Sequence, residues 1–311
     1  MKNRPFGRTF LEIAAIISLT FFLFSCGSRE SKESKVNEPS APTVDITEVD
    51  VSALQDVKEA EKIFYSLPSP LESAMLIKSA GAMFDEELLN PTESTSSYST
   101  NKDMALNLGI YTCDLSFASL YDQTQLVINY MSAAKKMAEG LGILDAMDEE
   151  TINRLEENIN NREAIMDIVS ETFLNSNSYL EDNEQPAIAS MVLVGGWIEG
   201  LYIATQLVNM DEFESDKLVV RIIDQKLSIG IMMKLLQDNN EHPAINELIS
   251  QMTQLKTIFD KINISTTRIT TEVDSETDVT ILKSKVTSDM TSEVFVELAN
   301  KVSEIRSSYV K

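Results

Sequence analysis

From residue 51 almost to the end of the chain, apolar positions recur every three or four residues, the period of an α-helix. "VSALQDVKEAEKIFYSL" (51–67) is amphipathic and stops before Pro68. A helix restarts in "PSPLESAMLIKSAGAMFDEELLN", with Ser69 as N-cap and Pro70 in its first turn. The polar stretch "PTESTSSYST" (91–100) reads as a loop, and Thr100 to Asp103 opens one long helix running toward Gly140. "DEETINRLEENINN" sets Ile152, Leu155 and Ile159 on one face, and "REAIMDIVSETFL" does the same with Ile165, Ile168 and Phe173. An apolar helix is expected over Lys217–Leu236. After His242-Pro243, the spacing of Ile245, Leu248, Ile249, Met252, Leu255, Phe259 and Ile262 predicts another. In the last helix Phe295, Leu298, Val302, Ile305 and Tyr309 alternate spacings of three and four, which makes a heptad seam for docking on the bundle.

The pattern changes at "STTRITTEVDSETDVTILKSKVT", where Thr and Val alternate and no helical stripe is present. A short hairpin and a mobile acidic loop fit equally well there. The expected fold is all-α: a single helical bundle of about eight or nine helices over residues 51–311, with a possible short β-hairpin near the C-terminus.

One stretch is apolar all round: "AIASMVLVGGWIEGLYIATQLV", Ala187 to Val208. Its length suits a membrane span. Its flanks, "EDNEQP" and "NMDEFESD", are acidic and lack Lys and Arg, and a central Glu199 adds about 2.5–3.5 kcal/mol to insertion. The expectation is therefore a central bundle helix and no transmembrane helix in the mature chain. Within it Gly196, Gly200 and Ala204 fall every four residues. Each interior glycine costs about 1 kcal/mol against alanine, an expense that close approach of a second backbone offsets. Ala105, Gly109 and Cys113 make a second ridge at the same spacing, and the two ridges are expected to pack together.

That arrangement puts two acids, Asp114 and Glu199, in or near the core, where a carboxylate must be paired, hydrogen-bonded or protonated. Arg221, in "LVVRIID", is the candidate partner; Tyr111, Tyr121 and Tyr202 are candidate donors. One reading of these acids, with the lone Trp197 beside them, is a ligand pocket or an acid–base pair. The other is a polar network that fixes helix register.

The N-terminus reads as an export signal. Lys2, Arg4 and Arg8 precede the apolar run Ile13 to Phe24, which is too short to span a bilayer. It ends in Leu23-Phe24-Ser25-Cys26-Gly27, a pattern that resembles the lipobox of bacterial lipoproteins. That resemblance implies removal of residues 1–25 and lipidation of Cys26, which anchors the protein to a membrane. Residues 26–50 are rich in Ser, Glu, Lys and Pro, and are expected to form a flexible tether. No aspartate follows Cys26 directly, which favours the outer membrane, with the periplasmic or exterior face left open.

Composition narrows the chemistry. The first 25 residues carry three basic groups and one acidic, so the remainder carries −25 against −23 for the whole chain. So acidic a protein is not expected to bind nucleic acid. Cys113 is the only thiol left after Cys26, and His242 is the only histidine, so zinc sites and a Ser-His-Asp triad have no material. No metal, cofactor or catalytic residue is expected.

Three stretches together, Phe64 to Pro91, Ala105 to Gln125 ("ALNLGIYTCDLSFASLYDQTQ") and Gly195 to Leu207 ("GGWIEGLYIATQL"), resemble a family of Bacteroidetes lipoproteins with no assigned activity. The resemblance implies an exported, lipid-anchored helical protein and carries over no catalytic residue. The leading expectation is a non-enzymatic interaction or structural module of the cell envelope, with an envelope protein as partner. The alternative is a small-ligand-binding lipoprotein with its pocket near Asp114 and Glu199, and an enzyme using those acids comes third.

Overall fold

Ser69 begins the ordered architecture by exchanging hydrogen bonds with Glu72: its hydroxyl accepts from Glu72 N at 3.2 Å and its own N–H donates to Glu72 Oε2 at 2.7 Å. This capping box, with Pro70 in the first turn, opens helix α1 (Pro70–Ser79). The computed structural model describes residues 67–143, 149–266, 270–273, 280–283 and 286–311. The expected signal peptide, Cys26, the tether and the amphipathic segment up to residue 66 lie outside the described residues.

Eight more helices follow among the described residues: α2 (Asn101–Leu120), α3 (Thr124–Leu141), α4 (Glu149–Glu157), α5 (Arg162–Asp182), α6 (Pro186–Gln206), α7 (Lys217–Asp238), α8 (Pro243–Phe259) and α9 (Ser292–Tyr309). The fold is all-α. The described residues of the Thr/Val-rich stretch are paired antiparallel strands. Strand β1 (Ile264–Thr266) pairs antiparallel with β4 (Val286–Ser288), and β2 (Thr270–Val273) pairs with β3 (Thr280–Lys283) inside it. The polar stretch before α2 contains a short 3-10 turn, Thr92–Ser97.

The single long helix expected from Thr100 to Gly140 is instead two, and the break has a physical cause. At Asp122 the chain turns left-handed (φ 58°), so Gln123 N reaches Ala118 O at 3.0 Å and Asp122 N reaches Ser119 O at 3.1 Å. This pair of bonds satisfies the last carbonyls of α2 and stops it. Glu184 (φ 58°) ends α5 in the same way, with Gln185 N on Leu180 O at 2.8 Å. Glycine usually fills this position, as Gly142 does after α3. Aspartate and glutamate give no such signal in the sequence.

α6 and α2 form the centre. α1 lies across both, α3 flanks α2, α7 flanks α6, and α9 packs on α6 and α8. α6 is long and apolar enough to cross a membrane by length and composition, and 94% of its most apolar window is buried inside the bundle. Where α2 and α6 meet, the backbones touch. A Cβ added at Gly109 would sit 2.0 Å from the carbonyl oxygen of Val192, and one at Gly195 would sit 2.0 Å from that of Leu106. Gly196 lies under Pro70 and against Gly109, while Gly200 faces Ser73 of α1 and the Cys113 thiol. The two small-residue ridges thus meet each other, and α1 covers their junction. Ala105 and Ala204 are buried along the same ridges.

Gly109→Ala and Gly195→Ala should each destabilise the protein by about 3 kcal/mol or more, because a backbone carbonyl cannot step aside as a side chain can. Gly230, inside α7, has nothing within 4 Å of its added Cβ. Gly230→Ala should instead stabilise by about 0.5–1 kcal/mol. Urea unfolding of the three variants measures both signs.

Candidate functional site

Glu199 projects from the middle of α6, one turn beyond Gly195, and is fully buried. Its carboxylate is held by Arg306 of α9 through two parallel bonds: Nε donates to Oε2 at 3.0 Å and Nη2 to Oε1 at 3.1 Å. Such a fork is the strongest arrangement open to a carboxylate and a guanidinium. Nη2 also donates to the Leu88 carbonyl at 3.2 Å, and the guanidinium lies 4.7 Å from the centre of the Tyr202 ring. Arg306 follows Val302 by four residues and precedes Tyr309 by three, so the seam that docks α9 carries it into the core.

Asp114, on α2 directly after the ridge residue Cys113, is also fully buried. Its Oδ2 accepts from the backbone N–H of Asn90 at 3.1 Å, and the charge of Glu199 acts on its carboxyl. Asn90 extends the network, its Nδ2 donating to Tyr98 Oη at 3.2 Å and to Asn107 Oδ1 at 3.0 Å. Asn107 in turn donates to the carbonyl of Tyr309 at 2.9 Å, and Lys311 N donates to Tyr98 Oη at 3.3 Å. One buried network therefore joins α2, α6, the segment before α2 and the end of the chain.

Two buried carboxyls lie near one guanidinium, which bonds only Glu199, so the charge balances only if one of them holds a proton. Burial, then the charge of Glu199, hold the Asp114 carboxyl well above the usual carboxylate range. Burial also raises Glu199, but Arg306 and the Asp114 hydrogen bond oppose the shift. Of the two, Asp114 is the one pushed toward the neutral acid, while Arg306 favours the charged form of Glu199. Asp114 Oδ1 and Asn90 Oδ1 have no hydrogen-bond partner among the described groups. Burial, with the two acids, also pushes the Cys113 thiol up, so this free cysteine is an inert packing group.

The expected partner Arg221 is not part of the site. It is exposed on α7 and pairs weakly with Asp224, one turn along the same helix, at 3.5 Å. Arg306 takes its place because α9 packs on the face of α6 that carries Glu199, while α7 packs on the face that carries Trp197. The tyrosine hydroxyls also serve other groups. Tyr111 donates to the Pro91 carbonyl at 3.0 Å, Tyr121 donates to the Ala82 carbonyl, and Tyr202 offers its ring to Arg306. Trp197 is buried, with Nε1 donating to Gln225 Oε1 at 2.9 Å. Arg306, Asn90 and Asn107 went unrecognised in the sequence. For Arg306 a signal existed, a lone cation on an otherwise apolar heptad face. The two asparagines had none.

Neither acid lines the slot between α2 and α5, the cleft at Trp197, the acidic groove beside Tyr130 or the hollow at Leu67. Among the described residues no group of three or more His, Cys, Asp or Glu side chains is placed to hold a metal ion. What the arrangement does chemically is to close a charge-balanced triad away from water.

Glu199→Gln and Arg306→Met should each cost about 3–5 kcal/mol, since each strands a buried charge. The double variant Glu199→Leu/Arg306→Met should lose far less than the sum, a difference that a double-mutant cycle by denaturant unfolding measures. Because the folded Asp114 carboxyl titrates above its unfolded value, its contribution to stability is fully present below the unfolded pKa. It is lost as pH rises through the folded one. Asp114→Asn, which copies the neutral acid in shape and donor, should flatten that decline. The variant should match or exceed the parent above pH 7, by up to about 1–3 kcal/mol, the usual cost of an unsatisfied buried polar group. Unfolding midpoints across pH 5–9 read this directly.

Neither a protein-family model, nor a curated protein, nor a solved structure matches this chain, and the roles given to these residues rest on their geometry.

Proposed function

We propose that this chain is a lipid-anchored cell-envelope protein whose bundle serves as a non-enzymatic structural or interaction module. One observation carries the non-enzymatic reading: Glu199 is spent on Arg306 and Asp114 accepts from Asn90, and among the described residues neither acid lines any of the clefts named above. An acid–base pair needs a substrate within about 3 Å, and a ligand pocket needs space. This network offers neither, and its evident work is to fix the register of α9 on α6.

The anchor rests on the sequence alone: basic residues, an apolar run, and Leu23-x-Ser25-Cys26 followed by a polar, proline-bearing stretch. The resemblance to Bacteroidetes lipoproteins points the same way, and the residues after Cys26 favour the outer membrane. The tether would let the bundle sample positions near the membrane surface and meet an envelope partner there.

Cys26→Ser should abolish incorporation of labelled palmitate and reduce recovery in the outer-membrane fraction. Asp114→Asn should keep both, along with the adducts formed by mild crosslinking in whole envelopes. Palmitate label that persists in Cys26→Ser defeats the anchor. Loss of the adducts in a folded Asp114→Asn variant would give that carboxyl a role beyond packing.

A further inference from the structure

Between α3 and the segment that joins α1 to α2 lies the acidic groove. Asp85, Glu86, Glu87 and Glu93 line it from that segment, and all four are exposed. Among the described residues none of the four has an ion pair. Lys136, two turns along α3 from the groove residue Asn129, donates instead to Thr95 Oγ1 at 3.1 Å. Like charges so close in sequence repel, and a free segment would spread to separate them. This one is held by the buried network. Leu88 O accepts from Arg306 Nη2 at 3.2 Å, Asn90 N donates to Asp114 Oδ2 at 3.1 Å, and Pro91 O accepts from Tyr111 Oη at 3.0 Å.

The facing wall is α3, with Leu126, Asn129 and Tyr130. Tyr130 is 4% exposed, its ring centre 6.1 Å from that of Tyr111. Its hydroxyl has no hydrogen-bond partner among the described residues. Nor is it sealed: the sealed side-chain atoms without a partner are Asn90 Oδ1 and Asp114 Oδ1. The hydroxyl therefore opens into the groove that Tyr130 lines. Burial, then the charges of Asp114, Glu199 and Glu86, keep it protonated, so it can accept a hydrogen bond as well as donate one.

Water can occupy about 630 Å³ of the groove, which is the size of a small-molecule site. The carboxylates accept and do not donate. Leu89, Pro91 and Leu126 set apolar surface among them. A matching ligand is cationic, rich in N–H donors, aliphatic between them and free of acceptors. A peptide fails the last condition, since each residue brings a carbonyl. A metal ion is not matched, since among the described residues no group of three or more acids is placed to hold one.

We infer that this groove binds an aliphatic polyamine, with its ammonium groups on the acid wall and one of them donating to the Tyr130 hydroxyl. The assignment stands whether or not Cys26 is lipidated.

The test is calorimetric titration of the purified full chain with spermidine at physiological ionic strength. Binding should saturate at one site, and magnesium should displace spermidine poorly. Tyr130→Phe removes an oxygen bonded to nothing in the protein. It should keep the parent's unfolding midpoint and weaken spermidine roughly tenfold, the worth of a hydrogen bond to a charged group. Glu86→Gln/Glu87→Gln/Glu93→Gln should weaken it roughly a hundredfold, from about a fivefold loss for each exposed ion pair. Glu212→Gln/Glu214→Gln/Glu241→Gln removes the same charge outside the groove and should leave the affinity nearly unchanged. Absence of saturable binding, unchanged affinity in folded Tyr130→Phe, or equal losses in the two triple variants overturns the assignment. So does magnesium that displaces spermidine at equal concentration. A trilysine peptide that binds where spermidine does not would make the groove a protein dock and likewise overturn it.

Discussion

Where α2 and α6 cross, a carbonyl oxygen of each helix stands in the place that a methyl group on the other would need, at Gly109 and at Gly195. That contact governs much of the rest. It brings the two axes closer than ordinary side chains permit, and it leaves the following turn of each helix, with Asp114 and Glu199, side by side in a dry interior. Two acids so placed cannot both ionise next to a single cation. The consequences are a proton on Asp114, a bidentate arginine on Glu199, and a last helix that must dock in one register to deliver that arginine.

The ion pair is better understood as a device for uniqueness than as a source of stability. A buried carboxylate and guanidinium recover little more than the hydration they lose, and apolar residues of the same volume often serve as well. What apolar residues do not supply is a penalty for docking α9 a turn too high or too low. With Arg306 on Glu199, and Tyr309 and Lys311 tied to Asn107 and Tyr98, a slipped helix would leave several buried groups unpaired at once. The same closure that secures the end of the chain removes the acids from any exchange with solvent. The apolar slot lies on another face of α2, about a third of a turn round, where Thr112 and Thr172 satisfy their own hydroxyls and leave methyl walls. The molecule thus keeps its polar interior sealed and its accessible interior apolar.

Local chemistry made most of the fold legible. Ser69 with Glu72, Thr100, Pro186 and Pro243 mark helix starts through interactions confined to one turn, and the seam from Phe295 to Tyr309 marks the docking face of α9. The alternation of Thr and Val left a hairpin and a loop equally open, because pairing depends on a second strand some twenty residues away. The helix ends at Asp122 and Glu184 were hidden, since neither residue type announces a left-handed turn. There the Schellman bonds and the packing that follows them outweigh an intrinsic cost of about 1–2 kcal/mol.

The sequence by itself determined most of the helices, though not the break at Asp122, and with them the small-residue ridges and the placement of two acids in the core, because each follows from spacing along one chain segment. Only the tertiary structure decided which cation answers those acids. Arg221 and Arg306 are alike in charge and both lie on helices with a buried face, and the choice turns on which helix packs on the face of α6 that carries Glu199. That packing is set by contacts between segments about a hundred residues apart, which leave no periodic trace in the chain. The slot is of the same kind. None of its five helices carries a sign of it, because a cavity is a property of the gaps between elements and is fixed only when all of them are in place.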